Sequence, residues 1–317
     1  MAKAKILITP RSLTRGGHAA LAPLTDAGFE LVFCSAGVQP SEAELLRLLP
    51  GCVGYLAGVE KINGAVLHAA TGLKAIARNG VGIDNIDLDA ARGLEIAVLP
   101  ATGANARGVA ELAIGLMLAL VRSIPFSDAT LKNSQWARRE GTELAGRTIG
   151  VVGCGRIGQL VARMAAGLDM QPIGFDPIAT GIPCGGFRYV SLEQLLGRSD
   201  IISLHCPALA GGQPIITRHT LGGIKPGAYL VNTARAGLLD ASAVLEALDS
   251  GKLAGLATDV FEAEPPGDDP LVRHAKVIAT PHVGGFTAES VARSVSAAVE
   301  NLLNVLKPTH SFSRGTP

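Results

Sequence analysis

The chain is short of charge imbalance, aromatic residues and cysteine, and each shortage excludes a class of protein. Its 28 Lys and Arg face 27 Asp and Glu, a formal net charge of +1 with no block of one sign. That leaves no electrostatic footprint for nucleic acid or an anionic membrane surface. The five cysteines, Cys34, Cys52, Cys154, Cys184 and Cys206, are scattered and form no CxxC pair. Scattered thiols of this kind suit a reducing, cytosolic compartment better than a disulfide framework. Neither they nor the seven histidines have zinc-site spacing, and there is no GxxxxGK[ST] phosphate loop, so no metal is expected. The longest apolar run, Ala110 to Val121, contains Glu111 and is too short to span a bilayer. Met1-Ala2-Lys3-Ala4-Lys5 leads straight into a strand pattern, not into the apolar region of a signal sequence. The expectation is a soluble cytoplasmic protein with no nucleic-acid and no membrane partner.

Ala, Leu, Val and Gly fill the composition instead: 48% of residues are hydrophobic although only 4% are aromatic. With 317 residues the chain has room for two α/β domains. Lys5 to Thr9 reads as a buried strand, Gly17 to Ala27 as a helix closed by Gly28, and Glu30 to Phe33 as a second strand. Ser41 caps a helix opening at Glu42, and short strands recur at 53–57, 74–77 and 95–98. A long amphipathic helix runs from Asn105 to Arg122, stopped before Pro125, and a second helical stretch covers Asp128 to Trp136. Strands then read at 148–152, 172–175, 200–204, 228–232, 254–258 and 276–279, the spacing of a parallel sheet with crossover helices. A last helix from Thr287 to Leu306 is inferred to return to the first domain, and Pro308 to Pro317 is a short polar tail expected to fray. The domains expected are 1–104, completed by 286–317, and 105–285 with the linking helices.

One stretch carries more information than the rest. Thr148-Ile149-Gly150-Val151-Val152-Gly153-Cys154-Gly155-Arg156-Ile157-Gly158 reads as strand, glycine turn and helix start, and Ile173-Gly174-Phe175-Asp176 as a second strand ending in an acid. A dinucleotide site needs that order. Gly153 permits the tight turn, Gly155 lets backbone approach a diphosphate, and Gly158 lets the helix pack on the sheet. Backbone of Arg156 and Ile157 would join the cradle at the positive end of the helix. Asp176 stands where a carboxylate accepts from ribose hydroxyls. It would repel a 2′-phosphate, and Pro177-Ile178-Ala179-Thr180 offers no arginine to bind one, so NAD is favoured over NADP.

Flanking motifs make a resemblance specific. They are Arg78-Asn79-Gly80-Val81-Gly82-Ile83-Asp84-Asn85-Ile86-Asp87, Ala104 to Glu111, His205-Cys206-Pro207, and Val231-Asn232-Thr233-Ala234-Arg235-Ala236-Gly237. Asp259 to Pro265 and Thr280-Pro281-His282-Val283-Gly284-Gly285 complete the set. The chain resembles the D-isomer-specific 2-hydroxyacid dehydrogenase family, in particular its short phosphoglycerate-dehydrogenase-like members. The resemblance implies an α/β fold of two Rossmann-like domains with parallel sheets and an active site in the interdomain cleft. It implies an NAD-dependent oxidoreductase interconverting a 2-keto acid and an (R)-2-hydroxy acid.

By that resemblance Arg235 clamps the substrate carboxylate and carbonyl oxygen with its guanidinium fork. His282 exchanges a proton with the carbonyl oxygen, and Glu264 hydrogen-bonds the imidazole and fixes its tautomer. Gly80, Val81 and Gly82 would present N–H groups to the carboxylate. Asn105 approaches substrate in the family, although capping of the following helix explains it equally well. Asp259 is expected near the nicotinamide amide, with Thr233 and Ala234 nearby, while His205 and Pro207 line the cofactor. Many family members pair through the region of the long helix and Trp136, which implies a homodimer.

Two departures bear on the substrate. Ala208-Leu209-Ala210-Gly211-Gly212 replaces the family's polar run after the His-Cys-Pro segment, putting some cofactor-edge contacts in doubt. Ala57-Gly58-Val59-Glu60-Lys61 stands where phosphoglycerate enzymes often carry an Arg-Ser pair, leaving Arg11 or Lys61 as candidates for a distal anion and surface roles as the alternative. The substrate choices are therefore 3-phosphoglycerate, glyoxylate or hydroxypyruvate, or an acid with a sulfonate or phosphonate tail. Formate dehydrogenases of this scaffold place Gln where Glu264 stands, which disfavours that activity. A non-enzymatic NAD(H)-sensing, corepressor-like protein is the remaining rival. The chain stops soon after its last helix, so no regulatory domain and no serine feedback are expected.

Overall fold

The computed structural model describes residues 3–15, 18–178, 181–209 and 211–306. The helix start at Gly17, the Ala179-Thr180 and Ala210 positions, His310 and the tail from Pro308 lie outside them. The chain divides into two compact units, Met1–Asn105 with Ala288–Pro317, and Ala106–Thr287.

The first unit contains strands β1 (Lys5–Ile8), β2 (Glu30–Phe33), β3 (Cys52–Ala57), β4 (Ala75–Arg78) and β5 (Ala97–Pro100). Among the described residues they form one parallel sheet in the order β2-β1-β3-β4-β5. Ile6, Leu56, Ala75 and Ala77 face the helix Ala288–Leu306, whose Val295, Ala298, Val299 and Leu302 complete that core. Leu7, Tyr55 and Ile76 point to the other face, against Leu45, Val66 and Leu67 of short helices. Every central strand is buried on both sides, as a parallel sheet with helices on two faces requires. The strand expected from Glu95 begins two residues later. Glu95 has φ +57, and its N–H and that of Ile96 donate to Arg92 and Ala91, closing the preceding helix before the chain can extend.

The second unit contains β6 (Thr148–Val152), β7 (Gln171–Phe175), β8 (Arg188–Tyr189), β9 (Ile201–Leu204), β10 (Ala228–Asn232), β11 (Leu253–Thr258) and β12 (Val277–Ala279). Its parallel sheet has the order β12-β11-β10-β9-β6-β7-β8 among the described residues. The order reverses between β6 and β9, and a crevice opens at the carboxyl ends of strands at such a switch point. Helix Ala106–Val121 packs on this sheet with Ala110, Ala113 and Met117 buried. The long helix stops before Pro125, as expected, but the next helix is Ile124–Lys132, not Asp128 to Trp136: Pro125 lies in its first turn, where a missing N–H costs nothing. Ser134 at φ +58 then turns the chain away, so Trp136 lies outside the helix.

No single described helix is long and apolar enough to cross a membrane. Ala106–Val121 and Ile124–Lys132 pass that test only as a pair bent by 64°, and the first is core. No group of three His, Cys, Asp or Glu among the described residues is placed to hold a metal ion.

Candidate active site and cofactor cradle

The carboxyl ends of the second sheet collect the polar side chains. Beyond β12, His282 Nδ1 lies 2.8 and 2.9 Å from the two carboxylate oxygens of Glu264. With Nδ1 held there, Nε2 is the ring atom left to meet another group. His282 itself has φ +52, a left-handed conformation that few residues other than glycine adopt. The loop around it is tied to Asp259, which follows β11 and is only 2% exposed. Asp259 Oδ1 accepts from the Thr280 hydroxyl at 2.6 Å and from Val283 N–H at 2.9 Å, and Oδ2 accepts from Gly284 N–H at 2.8 Å. Beyond β10, Arg235 is half-buried, and its Nη1 donates to Ala234 O at 2.8 Å.

The glycine turn lies at the switch point between β6 and β9. Gly153 has φ +88, and a Cβ there would lie 2.5 Å from Cys206 N and 2.7 Å from His205 C. A Cβ on Gly158 would lie 2.0 Å from Gly153 O, so helix and turn touch through backbone. Nothing comes within 4 Å of a Cβ on Gly155. Gly155 precedes helix Arg156–Ala166, which has no side-chain cap, so no N-cap side chain accepts from its first N–H groups. Asp176 Oδ2 accepts from Cys154 N–H at 2.8 Å and Oδ1 from Ile178 N–H at 3.0 Å, fixing the carboxylate at the end of β7. His205 Nε2 lies 2.7 Å from Ser203 Oγ, while its Nδ1 is shut off from solvent without a partner. Burial pushes this imidazole down to about 3 and keeps it neutral. Thr233 Oγ1 is another buried atom lacking a partner. The thiols beside the turn are inert, because burial pushes Cys154 up to about 12 and Cys206 up to about 11, with Asp176 adding to both.

Residues 114–284 match the D-isomer specific 2-hydroxyacid dehydrogenase, NAD binding domain, over more than half of the chain. A hydroxypyruvate reductase of Thermotoga maritima is 40% identical over 271 residues, covering 83% of this chain and 88% of that one. The chain belongs to the D-isomer specific 2-hydroxyacid dehydrogenase family. D-3-phosphoglycerate dehydrogenase of Mycobacterium tuberculosis is 39% identical over 268 residues, 83% of this chain, which spans about half (51%) of that relative's length. A glyoxylate reductase structure from Paecilomyes thermophila superposes with a TM-score of 0.86 at 27% identity, covering 97% of both chains.

In this family member the second unit is the NAD-binding domain, and its residues fit the dinucleotide. The space at Gly155, the uncapped helix start, and the orphaned Thr233 Oγ1 and His205 Nδ1 are what a diphosphate and its sugars would satisfy. Arg156 and Ile157 form the first helical turn there, and Pro207 and Ala234 follow β9 and β10 at the same sheet edge.

The first unit holds the remaining expected residues. Gly80, Val81 and Gly82 are half-buried beyond β4, and Gly80 O accepts from Ala101 N–H. Asn105 Oδ1 is buried without a partner, so it does not cap the helix that follows. Three side chains that received no role from the sequence stand out. Arg78 is 8% exposed, donates from Nη1 to Asn79 O, lies with its guanidinium against Gly80, and keeps a buried Nε without a partner. Ser203 orients His205. Thr280 binds Asp259 across 21 residues, a pairing that no periodicity announces.

Proposed function

We propose that the protein is an NAD-dependent D-2-hydroxyacid dehydrogenase acting on the CH–OH group of a small acid. The Glu264–His282 pair, with His282 on a loop locked to Asp259 in the NAD-binding unit, is the observation that carries this reading. Gly153, Gly155, Gly158, Arg156, Ile157, Asp176, His205, Pro207, Thr233, Ala234 and Asp259 would hold the cofactor, whose nicotinamide supplies or accepts the hydride when bound.

The chain's own residues do the rest. Arg235 holds the substrate carboxylate through charge-assisted hydrogen bonds. Glu264 keeps the Nδ1 proton on the imidazole, so His282 gives a proton from Nε2 to the carbonyl oxygen in reduction and takes it back in oxidation. Gly80, Val81, Gly82 and Asn105 remain the proposed carboxylate and substrate contacts of the first unit. A 2-keto acid of hydroxypyruvate or glyoxylate size, or a phosphorylated one, is the substrate class. Arg235→Ala and His282→Ala should each cut NADH-dependent reduction by about 10²–10⁴-fold while leaving the circular dichroism spectrum unchanged. Full turnover in either folded variant overturns the assignment.

Two copies are proposed to pair through the helix Ile124–Lys132 and the segment after it. Support comes from apolar side chains left in water there, Ile124, Leu131 and Trp136, the last 83% exposed.

A further inference from the structure

We propose that the Thr280 hydroxyl is a positioning group for His282, acting through the Asp259 carboxylate. The inference rests on the functional reading above for its kinetic arm only.

Thr280 is joined to the site at three points. Its N–H donates to Thr258 O and ends the β11–β12 pairing, its carbonyl accepts from His282 N–H at 2.9 Å, and its hydroxyl donates to Asp259 Oδ1. His282 is thus suspended between Thr280 on one side and Val283 and Gly284 on the other, and both sides are anchored on the same carboxylate. The left-handed backbone of His282 is unfavourable by itself and persists because neighbouring bonds over-determine it. Glu264 fixes the direction of the ring through Nδ1, but it does so from outside the loop. The Asp259 set, with the Thr280 N–H on Thr258 O, fixes where the ring begins. Asp259 is packed closely as well: a Cβ on Gly284 would lie 3.1 Å from Oδ2 and 3.3 Å from Val109 Cγ2. With little room to re-form the network, loss of the shortest of the three bonds transfers to the loop.

Thr280→Val keeps the branched shape and removes the donor, whereas Thr280→Ser keeps the donor. Three measurements on the protein decide the matter: kcat and KM for reduction of hydroxypyruvate, KM for NADH, and the ring chemical shifts of His282 followed by NMR of labelled histidine. The valine variant should lose roughly 10–100-fold in kcat, because a misplacement of about 1 Å is that costly, with KM for NADH within about threefold of wild type. Its His282 ring resonances should move away from their wild-type positions, and the serine variant should restore both quantities. Unchanged kcat and ring shifts in a folded valine variant overturn the proposal, and so does a serine variant as impaired as the valine one. A rise confined to KM for NADH also overturns it, since Asp259 would then act on the cofactor. Should wild type reduce no 2-keto acid, the functional reading falls, and the His282 ring shifts alone test the positioning role.

Discussion

Replacing Gly158 and Gly155 by alanine separates the two tasks of the glycine turn. A Cβ on Gly158 would lie 2.0 Å from Gly153 O and 3.0 Å from Val151 Cγ1. Ordinary carbon contacts are about 3.5–4.0 Å, so helix or turn must move by roughly 1.5 Å. Alanine improves helix propensity by about 1 kcal/mol, but overpacking against backbone costs about 3 kcal/mol. The clash wins, and Gly158→Ala should lose about 2 kcal/mol, a fall of roughly 4–8 °C in Tm for a unit of this size. Gly155 has open space around its Cβ position and an extended backbone at φ −71, ψ −162. There, alanine is a poorer N-cap by about 0.5–1 kcal/mol, offset by about 0.4–1 kcal/mol from a less flexible unfolded chain. Stability should therefore change by less than about 0.5 kcal/mol, while the methyl group occupies the approach of the diphosphate. Thermal unfolding without ligand, and NADH titration by fluorescence, measure the two effects. Gly155→Ala should weaken NADH at least about tenfold, equivalent to 1.4 kcal/mol. A Gly155→Ala protein as unstable as Gly158→Ala, or one that binds NADH like wild type, refutes the reasoning.

Further outcomes follow from the same geometry. His205 is pushed from 6.5 down to about 3, so between those values the unfolded chain binds a proton that the folded chain does not. Stability is then full above about pH 6.5 and falls as pH drops toward 3. His205→Gln should remove about 1–2 kcal/mol of the loss between pH 7 and pH 5 in urea unfolding, and an unchanged pH slope would contradict this. Sedimentation of wild type should give a dimer, with Leu131→Glu combined with Trp136→Ala shifting it to monomer. A wild-type monomer at tens of micromolar would remove the proposed interface.

What the sequence made legible was local. Gly153 and Gly158 are required because backbone lies where their Cβ atoms would be, and such requirements recur at fixed spacing from the strand before them. Ser41 announces a helix because its hydroxyl accepts from an N–H three residues on. The long helix does stop before Pro125, but the start of the next helix at Ile124 was not legible, because proline both ends one helix and begins another and the turn at Ser123, φ +51, leaves no pattern. The two-residue β8 was too short to leave a pattern. At the site, Glu264 and His282 were readable through the resemblance. The anchoring of His282 on Asp259 was not, because the three donors come from residues 21 to 25 positions away and alternate with nothing.

The first unit supplies the strongest case of something unreadable in the chain. Its sheet reverses order between β1 and β3, where an open α/β sheet presents a crevice. Here the crevice is filled from within. Glu60, 2% exposed, accepts at Oε1 from the Thr9 hydroxyl, the Tyr55 hydroxyl at 2.6 Å and Gly58 N–H at 2.9 Å. A Cβ on Gly58 would lie 2.6 Å from Glu60 Oε2, so the glycine there serves the carboxylate and not a nucleotide. Burial first, and Glu60 next, push Tyr55 well above its ordinary value, so its hydroxyl stays a donor. Tyr55→Phe removes one donor from a buried carboxylate and should cost about 1.5–3 kcal/mol. Glu60→Gln keeps an accepting oxygen but weakens all three bonds, so combining the two changes should cost less than their sum by about 1 kcal/mol. Urea unfolding of the single and double variants gives that coupling directly. Strict additivity would mean that the tyrosine and the carboxylate stabilise the unit independently, and that packing, not the shared proton donors, closes the switch point.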